Sequence, residues 1–236
     1  MKNPETHPAP TTHPESNDAI SAGQLSAPRR VHNLIILDES GSMQSIYHPA
    51  LTGVNETLQT IRSAQNAHAY QEHFVTLIAF DSTHYNQIYK NTAAAQAVDI
   101  TAEQYQPCGG TPLYDAMGRA ITELRAEVSP DDVVLVTIIT DGYENASREY
   151  DCAAIRALVE TMKEQNWVFT YIGANQDVEA VAKSMSINNH LTFETNDEDT
   201  AEMFRRENSC RMKFFGKINS VPAPELSANY FDDVDV

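Results

Sequence analysis

Five side chains that carry oxygen atoms occur in a pattern that suits a hard metal ion. Asp38, Ser40 and Ser42 alternate directly after an apolar run, Thr111 follows two glycines, and Asp141 follows a second apolar run. In an extended loop, residues two apart point the same way, so Asp38, Ser40 and Ser42 are expected to face one ion. Oxygen ligands suit Mg²⁺, with Mn²⁺ or Ca²⁺ as alternatives, and they disfavour zinc.

The charges of these ligands predict a site that a partner completes. Asp38 and Asp141 are the two anions of the set, so they at most neutralise a divalent ion, and the hydroxyl ligands add no charge. Mg²⁺ takes about six ligands, more than these side chains supply, so water would keep at least one position. We expect an Asp or Glu of a partner protein to displace that water, with Asp141 bound to the ion directly or through water.

Strands that alternate with helices would bring these residues together. Apolar runs predict six strands, which are Val31–Leu37, Glu72–Phe80, Thr83–Lys90, Asp131–Thr140, Trp167–Gly173 and His190–Glu194. Amphipathic spacing predicts helices after the first strand, before and after the fourth, and after the last two. Thr111 is expected to be the N-cap of the helix before the fourth strand, with Pro112 as its first residue. The loop between the second and third strands is too short for a crossover helix, so these strands must pair antiparallel.

The predicted fold class is therefore α/β, with a doubly wound, mostly parallel six-stranded sheet. It has one antiparallel edge strand and helices on both faces. Ligands of such sheets bind beyond the carboxyl ends of the strands, where the strand order reverses. If the first and fourth strands are neighbours, Asp38, Asp141 and Thr111 meet in one crevice.

The five positions together resemble the metal-ion-dependent adhesion site of von Willebrand factor A domains. The family motif is D-x-S-x-S, then a distant Thr, then a distant Asp, and it is matched in order by Asp38, Ser40, Ser42, Thr111 and Asp141. The resemblance covers about residues 30–217 and implies a Rossmann-like domain that binds proteins, often through a metal-bridged acidic side chain. The segments GGTPLYDA and IGANQDVEAVAKSMSI are similar to those of bacterial intracellular members, so the partners of animal receptors are not carried over.

Four further residues lie beside the predicted crevice and form a candidate partner-binding rim. They are Glu39, Gly110, Asp115 and Glu144. Glu39 and Glu144 are expected to set the charge of the rim rather than to bind the ion. Asp115 comes one helical turn after Thr111. It either accepts a hydrogen bond from a metal-bound water, or caps neighbouring backbone, or is an ordinary helix-face carboxylate.

A second function, metal-dependent hydrolysis of phosphate esters, stays open because a metal with bound water hydrolyses phosphates when a base is nearby. A phosphatase of the haloacid-dehalogenase type has a second acid two residues after its first Asp, and Ser40 stands there instead. The glycine pattern of dinucleotide-binding folds and the P-loop pattern are also missing. We therefore predict a non-enzymatic binding module.

Composition limits the classes of function further. The formal net charge of −17 argues against binding nucleic acid or anionic lipid and suits partners that carry cations, including metal ions. No run approaches the ~18 apolar residues of a membrane span, and the N-terminus has no apolar signal core. These features predict a cytoplasmic protein without membrane insertion. The histidines, His84 among them, show no ligand spacing, and Cys108, Cys152 and Cys210 are predicted to be semi-buried packing residues.

The chain is predicted to have three segments. Residues 1–29, rich in Pro, Thr, Ser and His, are predicted to be disordered, residues 30–218 form the A domain, and residues 219–236 form an acidic tail that is disordered unless bound. The acids of the tail are Glu225, Asp232, Asp233 and Asp235. They favour two alternatives, a solubilising tail or a ligand for the metal of the same or a neighbouring copy, which would lead to self-association.

Overall fold

A six-stranded sheet organises the part of the chain that the structure describes. The computed structural model describes residues 27–220 together with Leu226, Tyr230 and Phe231. The strands are β1 (Arg29–Asp38), β2 (Gln71–Phe80), β3 (Tyr85–Ala93), β4 (Val133–Thr140), β5 (Trp167–Gly173) and β6 (Asn189–Thr192). Their order is β3-β2-β1-β4-β5-β6, and every pairing is parallel except that of β2 with β3. The predicted fold class, including the antiparallel edge strand, is confirmed.

Helices cover both faces of this sheet. They are α1 (Tyr47–Ala67), α2 (Leu113–Arg125), α3 (Cys152–Lys163), α4 (Val178–Ser184) and α5 (Asp197–Lys217). Because strand side chains alternate between faces, Ile35 and Leu37 pack in the core under α1 and α5, whereas Leu34 and Ile36 pack in the core under the other three helices. The near-continuous apolar run of β1 is thus explained by burial on both sides.

The parallel pairing of β1 with β4 positions the candidate site. Leu37 of β1 pairs with Ile139 of β4, so Asp38 and Asp141 both follow the same edge of the sheet. The strand order reverses between these two strands, because the chain moves outward from β1 through β2 to β3 and then returns to β4 on the other side. The crevice predicted at this switch point therefore lies at the carboxyl ends of β1 and β4.

A buried ion pair on α5 faces the middle of the sheet. The Arg211 guanidinium is fully buried and donates hydrogen bonds to Glu207 Oε1 at 2.7 Å, Asn33 Oδ1 at 3.0 Å and Thr137 Oγ1 at 2.8 Å. The Tyr230 hydroxyl donates to Glu207 Oε1 at 3.1 Å. Burial opposes the charge of Arg211, but the Glu207 carboxylate raises its pKa, so Arg211 stays charged.

Of the predicted acidic tail, the structure describes residues 219 and 220 and, further along, three residues that are buried. Leu226, Tyr230 and Phe231 belong to the core under α1 and α5, and the Tyr230 ring lies 5.8 Å from that of Phe214. The four acids of the tail lie outside the described residues, and so do residues 1–26 of the segment that was predicted to be disordered. Within the described part of the chain, no helix combines the length and apolar character that crossing a membrane requires.

Replacing Gly53 with Ala should lower the free energy of unfolding by about 1–3 kcal/mol, because α1 and α5 approach closely at this point. A methyl group on Gly53 would lie 2.1 Å from ring atoms of Phe204, which is itself buried. Urea unfolding followed by circular dichroism measures the change. The matched control is Gly216→Ala on α5, where a methyl group meets nothing within 4 Å. The control should gain up to about 1 kcal/mol from helix propensity, and an equal loss in both variants would contradict the packing explanation.

Candidate metal centre

Asp38 is the last residue of β1 and its carboxylate is held in place on both sides. Its Oδ1 accepts a hydrogen bond from the backbone N–H of Ser40 at 2.7 Å, and its Oδ2 accepts one from Thr140 Oγ1 at 2.6 Å. The Tyr105 hydroxyl donates to the backbone carbonyl of Asp38 at 2.9 Å. The residue is fully buried, so this carboxylate is positioned by the sheet and its neighbours rather than by solvent.

Ser40 and Ser42 reach the same place by a different route from the one predicted. Of the two serines, Ser40 has extended backbone, with φ −68° and ψ 164°, whereas Ser42 lies in a 3₁₀ helix that begins at Gly41 and runs to Ile46. The extended loop predicted across Asp38, Ser40 and Ser42 is therefore wrong, because the chain turns at Gly41. The two hydroxyl oxygens nevertheless lie 3.1 Å apart, and Ser42 Oγ donates to Asp141 Oδ1 at 2.5 Å.

Thr111 lies before α2 rather than capping it. The N-cap residue of α2 is Pro112 and the helix begins at Leu113, so the predicted capping role of Thr111 is wrong. Among the described residues, no hydrogen bond uses the hydroxyl of Thr111, although its backbone N–H donates to Asn145 Oδ1 at 2.9 Å. A side-chain methyl at Gly142 would lie 3.9 Å from Thr111 Oγ1 and 3.6 Å from Ser42 Oγ, so both hydroxyls flank the loop that starts at Asp141.

The loop before Thr111 depends on a glycine. Gly109 has a φ of +67°, a region that side-chain-bearing residues rarely adopt. A side chain there would also meet Ser82 Oγ at 2.6 Å. The carbonyl of Gly109 accepts a hydrogen bond from the backbone N–H of Gly41 at 3.1 Å, which ties the Thr111 loop to the Asp38–Ser42 loop.

Among the described residues, the two carboxylates of the site have no cationic partner. Burial raises the pKa of Asp38 to about 6, against hydrogen bonds from Thr140 and Ser40 that lower it, and burial also raises the pKa of Asp141. Within residues 27–220, no Lys, Arg or His forms an ion pair with either carboxylate. Buried carboxylates normally pair with a cation or coordinate a metal. A divalent ion among these oxygen atoms fits that requirement.

The four predicted rim residues are more strongly engaged by the protein than their positions suggested. Asp115 accepts hydrogen bonds from the backbone N–H groups of residues 148–150 at 2.8–2.9 Å, so its carboxylate caps neighbouring backbone. Glu144 accepts from the backbone of Tyr114 at 3.0 Å and of residues 146 and 147. Glu39 is buried and accepts from the backbone of residue 106. The Gly110 N–H donates to Ser82 Oγ at 2.9 Å. Contact of these residues with a partner stays a prediction.

Four residues of the site escaped the sequence analysis. Thr140, Tyr105 and Asn145 orient Asp38 or Thr111 through hydrogen bonds, and nothing in their spacing indicates such roles. Tyr143 is different, because it stands two residues after Asp141 and exposes 57% of its surface. A large aromatic side chain in that loop was a signal that the sequence offered.

The sequence as a whole matches a known family. The von Willebrand factor type A domain model matches residues 34–207, which include all five candidate ligands. The chain belongs to the von Willebrand factor type A (VWA) domain family. A sequence comparison with curated proteins gives no match.

Solved structures with the same fold include several bacterial VWA domains and pilus proteins. A von Willebrand factor type A protein from Catenulispora acidiphila superposes with a TM-score of 0.56 at 17% identity, over 79% of this chain and 43% of that one. The PilB minor pilin from Streptococcus sanguinis superposes with a TM-score of 0.58 at 12% identity, over 84% of this chain and 64% of that one. The vWF domain of the type V pili tip protein Mfa5 from Porphyromonas gingivalis superposes with a TM-score of 0.51 at 10% identity, over 78% of this chain and 95% of that one. At these identities, the likeness of this VWA domain to them concerns the fold.

Proposed function

We propose that this VWA domain is a non-enzymatic protein-binding module that works through a divalent metal ion. Asp38, Ser40, Ser42 and Thr111 would hold Mg²⁺, or Mn²⁺ or Ca²⁺ in its place, with Asp141 bound directly or through water. The ion, once bound, supplies a Lewis-acidic position that a carboxylate oxygen of the partner occupies. The observation that carries the proposal is the pair of buried carboxylates, Asp38 and Asp141, that face serine hydroxyls and lack a cationic partner among the described residues.

The ligand set supports an acidic partner. Two carboxylates neutralise the ion and three hydroxyls leave its remaining positions to water, so an additional anion is not repelled by excess negative charge in the first coordination shell. The formal net charge of −17 works against a generally acidic partner surface, so the specific carboxylate must be brought close to the ion by surrounding contacts. Localisation in the cytoplasm and self-association through the tail acids stay predictions.

Affinity capture with matched variants tests this proposal. The immobilised chain is exposed to a cell extract in Mg²⁺ and in EDTA, with Asp38→Asn as the inactive variant and Asp131→Asn as the control. Asp131 is exposed and lies just before β4, at the amino ends of the parallel strands and away from the crevice. Its variant should therefore behave as wild type. Proteins retained only in Mg²⁺, and only by wild type and Asp131→Asn, would support a metal-bridged partner.

The same variants distinguish binding from catalysis. Turnover of a generic phosphate ester by the wild-type chain in Mg²⁺ should be absent. Metal-dependent turnover that Asp38→Asn abolishes would overturn the proposal in favour of the hydrolase. Capture that EDTA leaves unchanged would overturn the role of the metal.

Replacing Tyr143 with Ala should weaken partner binding about tenfold or more without changing Mg²⁺ affinity. Exposed aromatic residues at the centre of an interface often dominate its binding energy, and Tyr143 is 57% exposed beside Asp141. Surface plasmon resonance with the captured partner measures the effect. Tyr70→Ala is the control, because Tyr70 is 61% exposed at the start of β2, away from the crevice. Equal losses in the two variants would argue against an interface at Tyr143.

A further inference from the structure

Three potential metal ligands of different chemical types meet beside the turn that joins β2 to β3. Asp81 and His84 belong to this turn, and Cys108 comes from the loop that leads to Thr111. His84 Nδ1 lies 3.2 Å from Asp81 Oδ2, and Cys108 Sγ lies 3.1 Å from the same oxygen. All three ligand atoms lie within 4.8 Å of one another. The spacing of His84 in the sequence does not indicate these neighbours, because Cys108 is remote in sequence.

The two oxygen atoms of the Asp81 carboxylate have different hydrogen-bond partners. Its Oδ1 accepts hydrogen bonds from the backbone N–H of Thr83, from Thr83 Oγ1 at 2.7 Å and from the backbone N–H of His84 at 2.9 Å. The Asp81 N–H donates to the carbonyl of His84 at 3.0 Å, which closes the turn. Oδ2 is thereby fixed in orientation, and it is this oxygen that faces the imidazole and the thiol.

The loop that carries Cys108 is tied to the same turn by backbone hydrogen bonds. The Cys108 N–H donates to the carbonyl of Glu39 at 2.8 Å, and the Ser82 N–H donates to the carbonyl of Gly110 at 3.0 Å. The Gly110 N–H returns a hydrogen bond to Ser82 Oγ at 2.9 Å. Both backbone segments are thus held in place, so the meeting of the three side chains is built into the fold.

The thiol and the carboxylate face one another as two ligands of one ion would. The Cys108 thiol donates a hydrogen bond to Asp81 Oδ2, the oxygen that also lies beside His84 Nδ1. A cation that replaced the thiol proton would therefore meet the carboxylate, the sulfur and the imidazole nitrogen together.

We propose that Asp81, His84 and Cys108 form a second metal site, which takes Zn²⁺ or another thiophilic divalent ion. One carboxylate, one imidazole and one thiolate are ligands that zinc accepts, whereas Mg²⁺ and Ca²⁺ disfavour sulfur. Metal–ligand distances of about 2.0–2.3 Å in a tetrahedron place ligand atoms roughly 3.3–3.6 Å apart, close to the observed separations from Asp81 Oδ2. On binding, the thiol proton leaves to solvent and the sulfur takes the metal in its place.

The ion would have access from solvent and an open fourth position. The His84 side chain is 68% exposed and Cys108 is exposed, whereas the side chain of Asp81 is buried. Three protein ligands and one water is a common arrangement for zinc. An ion there would join the β2–β3 turn to the loop that ends at Thr111, and so would hold one wall of the magnesium crevice. The site itself does not depend on Mg²⁺ binding by Asp38.

Titration of the metal-free, reduced full-length chain with Co²⁺ tests this assignment. Cobalt reports thiolate ligation through a charge-transfer absorption band and tetrahedral geometry through visible bands, and Zn²⁺ should abolish both by displacement. Cys108→Ser should remove the charge-transfer band. His84→Gln should weaken binding at least about tenfold, since even changes outside the ligand set often have effects of that size.

Matched variants elsewhere in the fold keep this test specific. Cys152→Ser and His190→Gln are the controls, because His190 lies on β6 at the other edge of the sheet and Cys152 begins α3. Both should show the wild-type charge-transfer band, and so should Asp38→Asn, which separates this site from the proposed magnesium site. Circular dichroism checks that each variant is folded. A wild-type titration without a charge-transfer band, or a band that survives in Cys108→Ser, would overturn the proposal.

Discussion

Replacing Asp38 with Asn should abolish Mg²⁺ binding and, at the same time, stabilise the metal-free protein. Loss of the buried anionic ligand should weaken Mg²⁺ binding by more than about 100-fold, measured by isothermal titration calorimetry. The stabilisation follows from burial, which raises the pKa of Asp38 to about 6 because the charged form is poorly solvated. An uncharged amide removes that penalty, which at ~1.4 kcal/mol per pKa unit we expect to be worth about 3 kcal/mol at pH 8.

The pH dependence of stability follows the same reasoning. Since the folded-state pKa of Asp38 is raised from 3.8 to about 6, folding favours the protonated carboxyl. This contribution to the free energy of unfolding is fully present below about pH 4 and is lost as pH rises through 6. Wild type in EDTA should therefore lose more stability between pH 4 and pH 8 than Asp38→Asn does. Added Mg²⁺ should restore wild-type stability at pH 8, because it binds the ionised form.

The control for both measurements is Asp131→Asn. Asp131 is an exposed carboxylate at the amino ends of the parallel strands, away from the crevice. It should keep wild-type Mg²⁺ affinity and the wild-type pH profile of urea unfolding in EDTA. A metal-free Asp38→Asn protein that is less stable than wild type at pH 8 would contradict the stated cause. Unchanged Mg²⁺ affinity in Asp38→Asn would remove Asp38 from the site.

Replacing Arg211 with Met should lower the free energy of unfolding by about 3–5 kcal/mol, a large part of the stability of a typical domain. The substitution leaves the Glu207 carboxylate buried without a cation and leaves the polar groups of Asn33 and Thr137 without their shared donor. Urea unfolding at constant pH measures the loss. The double variant Glu207→Met/Arg211→Met should be less damaged than the single one, because it removes the stranded charge.

An exposed pair on the same helix provides the comparison. Arg205 and Glu202 form an ion pair with an N–O distance of 2.7 Å, but their side chains are 64% and 46% exposed. Arg205→Met should change stability by no more than about 0.5 kcal/mol, since surface pairs contribute little. A similar loss in Arg205→Met and Arg211→Met would show that burial of the pair is not what matters.

The sheet could be predicted because its buried strands are easy to recognise in the sequence. Central strands such as Val133–Thr140 are buried on both faces, so they appear in the sequence as uninterrupted apolar runs. The short connection after Phe80 then fixed the antiparallel pairing of the next strand. With the fold class determined, the topological rule for ligand sites placed Asp38 and Asp141 at one edge of the sheet.

Local geometry was harder to predict, because it depends on contacts between loops that are remote in sequence. Thr111 looks like a helix cap, yet Pro112 takes that position and the hydroxyl of Thr111 stays available. Cys108 and His84 have no spacing typical of ligands, and they meet only because β2 and the loop before α2 both end at the same edge of the sheet. Arg211 is a charged residue in a polar helix of the sequence, and only the packing of α5 reveals that it is buried.

The buried ion pair of Arg211 and Glu207 on α5 should affect the rate of unfolding. Arg211 donates to Asn33, 178 positions away, and to Thr137, 74 positions away. Contacts between such remote segments are made only after long loops have closed, so we expect them to be absent from the folding transition state. Interactions of that kind slow unfolding while leaving folding almost unchanged. The pair should therefore mainly slow unfolding, and so set the lifetime of the native state.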